Sequence, residues 1–260
     1  MMECSFGSVD VSQLRLVAFD LDGTLAPSKS PIVPAMARSL ERLLSRFSVG
    51  VMSGGLLSQF QIQLLSGLKL GEVAGNLHLL PTCGTQYYRL DNDGQPQALY
   101  VETLSDAQRA AAVRTLEAAA RELGLWEANP WGEIIEDRGT QITFSALGQR
   151  APLEAKTAWD PDGSKKRALA VLVQRQLPDL SVQVGGTTSV DVTAQGIDKA
   201  YGMRALLAQT GLQASQALFV GDQLVPEGND YPVVSTGVAC QAVAGWEETL
   251  SRIENLLMDT

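Results

Sequence analysis

Two carboxylates stand two residues apart in Phe19-Asp20-Leu21-Asp22-Gly23-Thr24-Leu25, at the end of the apolar run Leu14 to Phe19. In extended backbone such residues share a face, and like charges that close need a cation between them. A turn built on Asp22-Gly23 is the plainer reading of the pair taken alone. A second acidic set, Gly221-Asp222-Gln223-Leu224-Val225-Pro226-Glu227-Gly228-Asn229-Asp230, follows another apolar run, Ala217 to Val220. Neither set has a cysteine or histidine nearby, and oxygen-only ligands suit Mg²⁺ better than zinc or copper. Ser53 ends a third such run, Val49 to Met52. Lys199, in Gly196-Ile197-Asp198-Lys199-Ala200, opens an expected helix, where the macrodipole disfavours a cation by roughly 0.3–1 kcal/mol. That placement makes sense if an anion docks there; a solvated lysine is the alternative.

The elements that must hold these groups alternate. Leu14–Phe19 reads as a buried strand, residues 31 to 46 as a helix with Met36, Leu40, Leu43, Leu44 and Phe47 at helical spacing, Val49–Met52 as a strand, and Leu56–Leu65 as a helix. Such alternation implies a parallel sheet, whose ligands bind at the carboxyl ends of the strands. From about residue 88 the texture changes. Asp91-Asn92-Asp93-Gly94 is a turn, Ser105 to Gly124 an alanine-rich helix, and Glu133–Glu136 with Thr140–Ala146 a hairpin. A helix over 161–176 and strands at Leu180–Val184 and Ser189–Thr193 follow. Beyond Asp198 the first rhythm returns, with a helix to Gln209, a strand Ala217–Val220, a short strand near Val233 and a last helix from about Gly245 to Met258. The expected fold class is α/β, a Rossmann-like parallel sheet core formed by 1–88 and 194–260, with an inserted α+β cap over 89–193.

The 260 residues are 45% hydrophobic, enough for a substantial core, and carry a net charge of −9. Acidity of that size argues against a nucleic-acid partner, while small anionic substrates remain open if cations converge locally. The three cysteines, Cys4, Cys83 and Cys240, have neither disulfide-framework nor zinc-site spacing, which fits a reducing, cytoplasmic setting. The single histidine, His78, excludes paired-histidine zinc ligation and reads as a core or solvated side chain. The first twenty residues, with Glu3, Asp10 and Arg15, do not resemble a signal peptide, and no apolar stretch is long enough to span a membrane. Residues 23 to 30 nearly spell a phosphate-binding P-loop but lack its second glycine.

Taken in order, Asp20-x-Asp22-Gly-Thr, Ser53, Asp198-Lys199, and Gly221-Asp222 with Asn229-Asp230 resemble the four motifs of the haloacid dehalogenase superfamily of phosphatases and phosphomutases. The insertion resembles the large cap of its sugar-phosphate phosphatases and eukaryotic-type phosphomannomutases, through Ile134-Ile135-Glu136-Asp137-Arg138, Ile142 to Gly148 and Ser189-Val190-Asp191-Val192. The resemblance implies that Asp20 is the nucleophile and Asp22 the general acid and base. It also implies Mg²⁺ held by Asp20, Asp222 and the backbone carbonyl of Asp22, with Asn229 and Asp230 orienting the metal shell. Ser53 and Lys199 would hold phosphoryl oxygens, and Arg138, Ser189 and Asp191 of the cap a small phosphorylated substrate, such as a sugar phosphate. Two positions depart from the mutases. Trp131 stands where they place an arginine, and Ala26-Pro27-Ser28-Lys29 where they have Ala-Pro-Arg. A mutase must hold a bisphosphorylated sugar in two orientations, so hydrolysis is the expected activity, with interconversion of mannose 1-phosphate and mannose 6-phosphate as the alternative.

Overall fold

The computed structural model describes residues 11–91 and 93–259; Glu3, Cys4, Asp10 and Asn92 lie outside them. The chain forms two compact units, dividing at Val101/Glu102 and Ile197/Asp198.

The first unit is built on β1 (Leu16–Asp20), α1 (Pro34–Leu44), β2 (Ser48–Met52), α2 (Leu57–Gln63), β3 (Leu77–Leu80), β4 (Gln86–Leu90) and β5 (Pro96–Val101). Every residue of β1 is buried because the strand is covered on both faces. Val17 and Phe19 pack with Met36, Leu40 and Leu43 of α1 on one side, while Leu16 and Ala18 join a second cluster on the other. The hairpin of β4 and β5, turning at Asp91 and Gly94, extends the core sheet antiparallel to β3. Consequently the boundary of the insertion lies after Val101 and not at 88, and its far end lies at Ile197 and not at 193.

The inserted unit contains α3 (Asp106–Glu122), β6 (Ile135–Asp137), β7 (Gln141–Ser145), α4 (Leu153–Trp159), α5 (Ser164–Gln176), β8 (Leu180–Val184) and β9 (Ser189–Ala194). Ser105 caps α3 in a reciprocal box with Gln108, and Gly124 ends it at φ +67°. The sheet runs β6-β7-β9-β8, antiparallel throughout. Strand alternation sends Ile142, Phe144, Val190 and Val192 to a core completed by Ala112, Leu116, Leu169 and Val173 of α3 and α5.

The chain then returns to the first unit as α6 (Lys199–Thr210), β10 (Ala217–Gly221), β11 (Ala239–Ala242) and α7 (Trp246–Asp259). The seven-stranded sheet has the order β11-β10-β1-β2-β3-β4-β5, with the first five strands parallel. The strand expected near Val233 is instead a 3₁₀ turn over Tyr231–Thr236, with Pro232 in its first positions. Proline has no ladder N–H to give, and the edge strand forms later, at Ala239–Ala242. His78 is a core residue; its Nδ1 shares a hydrogen bond of 2.8 Å with Tyr87 Oη. Among the described residues no helix is long and apolar enough to cross a membrane.

Candidate active site

Strand register fixes what stands at the carboxyl edge of the sheet. Asp20 ends β1 opposite Met52 of β2, so Ser53 is the next residue on the neighbouring strand. On the other side Phe19 lies opposite Val220 of β10, which brings Gly221 and then Asp222 to the same edge. Carboxylate oxygens of Asp20, Asp222 and Asp230 come within 4.8 Å of one another, an arrangement able to hold a cation. Asp230 therefore joins the cluster directly. Asn229, the residue before Asp230, is exposed.

Small residues make that approach feasible. Gly23 has φ +90°, and a Cβ there would sit 2.8 Å from Asp222 Oδ2; at Gly221 it would sit 2.4 Å from Asp230 Oδ2. Thr24, fully buried, clamps Asp222 from both ends. Its hydroxyl donates to Asp222 Oδ1 at 3.0 Å and accepts from the Asp222 N–H at 3.0 Å. Gln223 adds its side-chain amide to Asp222 Oδ2 at 2.8 Å and its backbone N–H to Asp230 Oδ2 at 2.8 Å.

Lys199 is the first residue of α6, behind the cap Asp198, whose carboxylate accepts from the Tyr201 N–H. Its ammonium is 1% exposed and donates to Asp20 Oδ1 and Asp230 Oδ1, each at 2.5 Å. The anion that compensates the unfavourable helix end is thus supplied by the chain itself. Gly202 of α6 lies so close to Gly84 that a Cβ on Gly84 would sit 2.5 Å from the Gly202 Cα, and this packing helps fix Lys199. Burial pushes the Asp20 carboxyl up to about 8, with Asp230 and Asp222 adding to the rise against the pull of Lys199. Burial works against the Lys199 ammonium, but its two carboxylate partners outweigh it and raise its pKa above the usual lysine value. Three acidic groups and one cation leave the cluster short of positive charge, which a divalent ion would supply.

Ser53 is buried, and its Oγ accepts from the Gly55 N–H at 3.0 Å, leaving the hydroxyl proton as a donor. Asp22 faces a different set of groups. Its Oδ1 accepts from the Lys29 N–H at 2.6 Å and from Gln63 Nε2 at 3.1 Å, and its Oδ2 from Gln59 Nε2 at 3.4 Å. In the sequence Thr24, Gln59, Gln63 and Gln223 carry no mark of a role at the site. The i, i+4 spacing of the first two glutamines was the one available signal, and it does not say which face of α2 they occupy.

In the inserted unit the alternation that buries Ile142 and Phe144 turns Thr143, Ser145, Ser189 and Asp191 to the opposite sheet face. Thr143 Oγ1 donates to Asp191 Oδ1 at 2.7 Å, and the Ser145 and Ser189 hydroxyls lie 3.5 Å apart. Arg138 pairs with Glu136 at 2.6 Å. Register sets Glu136 against Thr143 and Thr143 against Asp191, so the three expected cap residues are on one polar face. Trp131 is 47% exposed.

The family model for eukaryotic phosphomannomutase matches residues 36–259. A phosphomannomutase of Schizosaccharomyces pombe is 27% identical over 248 residues, covering 93% of each chain. Among solved structures, an IMP-bound mutant of the Plasmodium falciparum IMP-nucleotidase superposes with a TM-score of 0.73 at 14% identity, over 94% of this chain and 68% of that one. A haloacid dehalogenase-like hydrolase of Bacteroides thetaiotaomicron gives 0.61 at 16% identity, over 94% and 99%. These two likenesses concern the fold alone.

Proposed function

Because the chain belongs to the eukaryotic phosphomannomutase family, within the haloacid dehalogenase superfamily, we propose that it moves a phosphoryl group between the 1- and 6-positions of a hexose phosphate such as mannose phosphate. The observation that carries this reading is the extent of the family match, 36–259, which runs through the inserted unit as well as the returning core segment. The sequence alone favours water as the phosphoryl acceptor; the family match favours a sugar hydroxyl.

In this reading a carboxylate oxygen of Asp20 attacks phosphorus and the bond from phosphorus to the sugar oxygen breaks, while Asp22 gives that oxygen a proton. In the second half-reaction Asp22 takes the proton of the accepting hydroxyl as its oxygen attacks phosphorus, and the bond to Asp20 breaks. Ser53 donates its hydroxyl proton to a phosphoryl oxygen. Lys199 holds Asp20 in place and offsets charge on the phosphoryl group. Arg138, Ser189 and Asp191 recognise the sugar phosphate, the guanidinium being suited to a phosphate. The oxygen-only donor set fits Mg²⁺, held by Asp20, Asp222 and the Asp22 carbonyl with Asp230 beside them. Bound there, it would neutralise charge between an anionic nucleophile and an anionic phosphate.

Hydrolysis is the second reading, favoured by Trp131 and by the Ala26-Pro27-Ser28-Lys29 run, where the mutases carry arginines. One assay separates the two. Mannose 1-phosphate with Mg²⁺ and a trace of hexose 1,6-bisphosphate is followed by phosphorus NMR. Mannose 6-phosphate forming faster than inorganic phosphate is the expected result, and phosphate alone would overturn it in favour of hydrolysis. Asp20→Asn removes both activities while the melting temperature shows the fold intact; retained turnover would refute the assignment of the nucleophile.

A further inference from the structure

Gln63 is 1% exposed at the last turn of α2, and its amide has an unusual arrangement. Nε2 donates to Asp22 Oδ1 and to the Ser30 carbonyl, both at 3.1 Å, while Oε1 is buried with no hydrogen-bond partner. Two acceptors on one side fix which end of the amide is nitrogen, since the flipped orientation would turn an oxygen toward both. An apolar side chain there would remove the orphaned Oε1, so the glutamine carries a cost to the core. A second local cost points the same way. Lys29 adopts φ +55°, a left-handed conformation unfavourable for a side chain other than glycine, and in it the Lys29 N–H reaches Asp22 Oδ1 at 2.6 Å. Gln59, one turn before Gln63, reaches the other carboxylate oxygen. A buried orphan atom and a strained backbone thus converge on one carboxylate.

We propose that Gln63, with Gln59 and the Lys29 N–H, is the positioning device of the general acid and base. It fixes the Asp22 carboxylate so that one geometry serves both proton transfers. This rests on the phosphoryl-transfer reading above, in which Asp22 protonates the departing oxygen and later deprotonates the acceptor. Gln59 and Gln63 both lie on α2 and both reach the Asp22 carboxylate. Loss of the device therefore slows the two steps that need a proton moved and spares the one that does not.

The leaving group isolates that difference. With p-nitrophenyl phosphate the aryl oxide departs without a proton, so Asp20 is phosphorylated independently of Asp22, and only breakdown of the phosphoenzyme by water needs the base. Stopped-flow release of nitrophenolate by Gln63→Met should show a burst within about twofold of the wild-type rate, followed by steady-state turnover slowed ~10- to 100-fold, at or below the lower end of a full general acid–base effect because the carboxylate itself remains. Turnover of mannose 6-phosphate, whose alkoxide must be protonated, should fall at least as far. A merely structural role would lower burst and steady state together, and that result, or wild-type behaviour in both phases, overturns the proposal. Should Gln63→Met fail to fold, Gln59→Met at the half-buried neighbouring position decides, with a preserved burst and a severalfold slower steady state expected and unchanged kinetics refuting. If wild-type protein turns over neither substrate, it is the phosphoryl-transfer reading that fails.

Discussion

Replacing Lys199 by Met removes an ammonium from between two buried carboxylates while keeping most of the volume of its stem. Asp230 is fully buried and the Asp20 side chain 7% exposed, so neither can recover its lost partner from water. Breaking a buried ion pair from one side costs about 3–5 kcal/mol, because an uncompensated charge is left behind. Here the buried Asp230 charge is the one left, since Asp20 favours its protonated form without a metal. At roughly 2–4 °C per kcal/mol for a chain of this length, the metal-free melting temperature should fall by about 6–20 °C. Calorimetry in EDTA and in excess Mg²⁺ measures it. A divalent ion at about a hundred times its dissociation constant should return about 2.7 kcal/mol. The double variant Lys199→Met/Asp230→Asn should also regain part of the loss in EDTA, since the stranded Asp230 charge is gone. A metal-free loss below ~1 kcal/mol, or a double variant less stable than the single, would refute the view of Lys199 as the counter-charge of the cluster.

Asp20, with its carboxyl raised from 3.8 to about 8, favours the protonated form in the metal-free fold. Its contribution to stability is full below 3.8 and is lost as pH rises through 8, so the Mg²⁺-induced gain in melting temperature should grow over that window; a gain independent of pH contradicts this. Gly23→Ala forces a Cβ to within 2.8 Å of Asp222 Oδ2 at φ +90°, so it should cost ~1–3 kcal/mol and weaken Mg²⁺ binding measured calorimetrically, and wild-type affinity would count against the close approach. His78 is held neutral, its pKa lowered from 6.5 to about 4 chiefly by burial and further by Arg89. Its stabilising contribution is present above 6.5 and lost as pH falls through 4, and the resonances of this single imidazole should not titrate near neutrality.

The elements that carry the motifs were readable because their signals are strong and local. Leu16–Phe19 and Ala217–Val220 are uninterrupted apolar runs, and α3 announces itself by Ser105 and Gly124. Weak composition hid the others. β3 has four residues, one of them His78; β11 is Ala-Cys-Gln-Ala; and α4 follows Pro152 with one short stretch of helix. The change of texture places the start of the insertion at residue 89, before β5, because the Asp91 to Gly94 turn looks like a break when it is the tip of a hairpin in the core sheet. At the site, Asp20, Asp222, Asp230 and Lys199 could be found from strand ends and spacing. Gln63 could not, since a glutamine on a short helix ordinarily faces water, and only the packed fold turns it to Asp22.

The order of strands also constrains how the protein is made. β1 sits between β2, which the ribosome delivers soon after it, and β10, which emerges only after the whole insertion. Until then the nascent chain exposes one hydrogen-bonding edge of a strand whose side chains are all destined for the interior, a template for pairing with neighbouring polypeptides. Glu102–Ile197 is continuous in sequence and owns its core, so it can mature while that edge waits. Translation arrested before residue 217 should therefore yield aggregates seeded by β1, and the acidic cluster comes into being only in the last stage of synthesis.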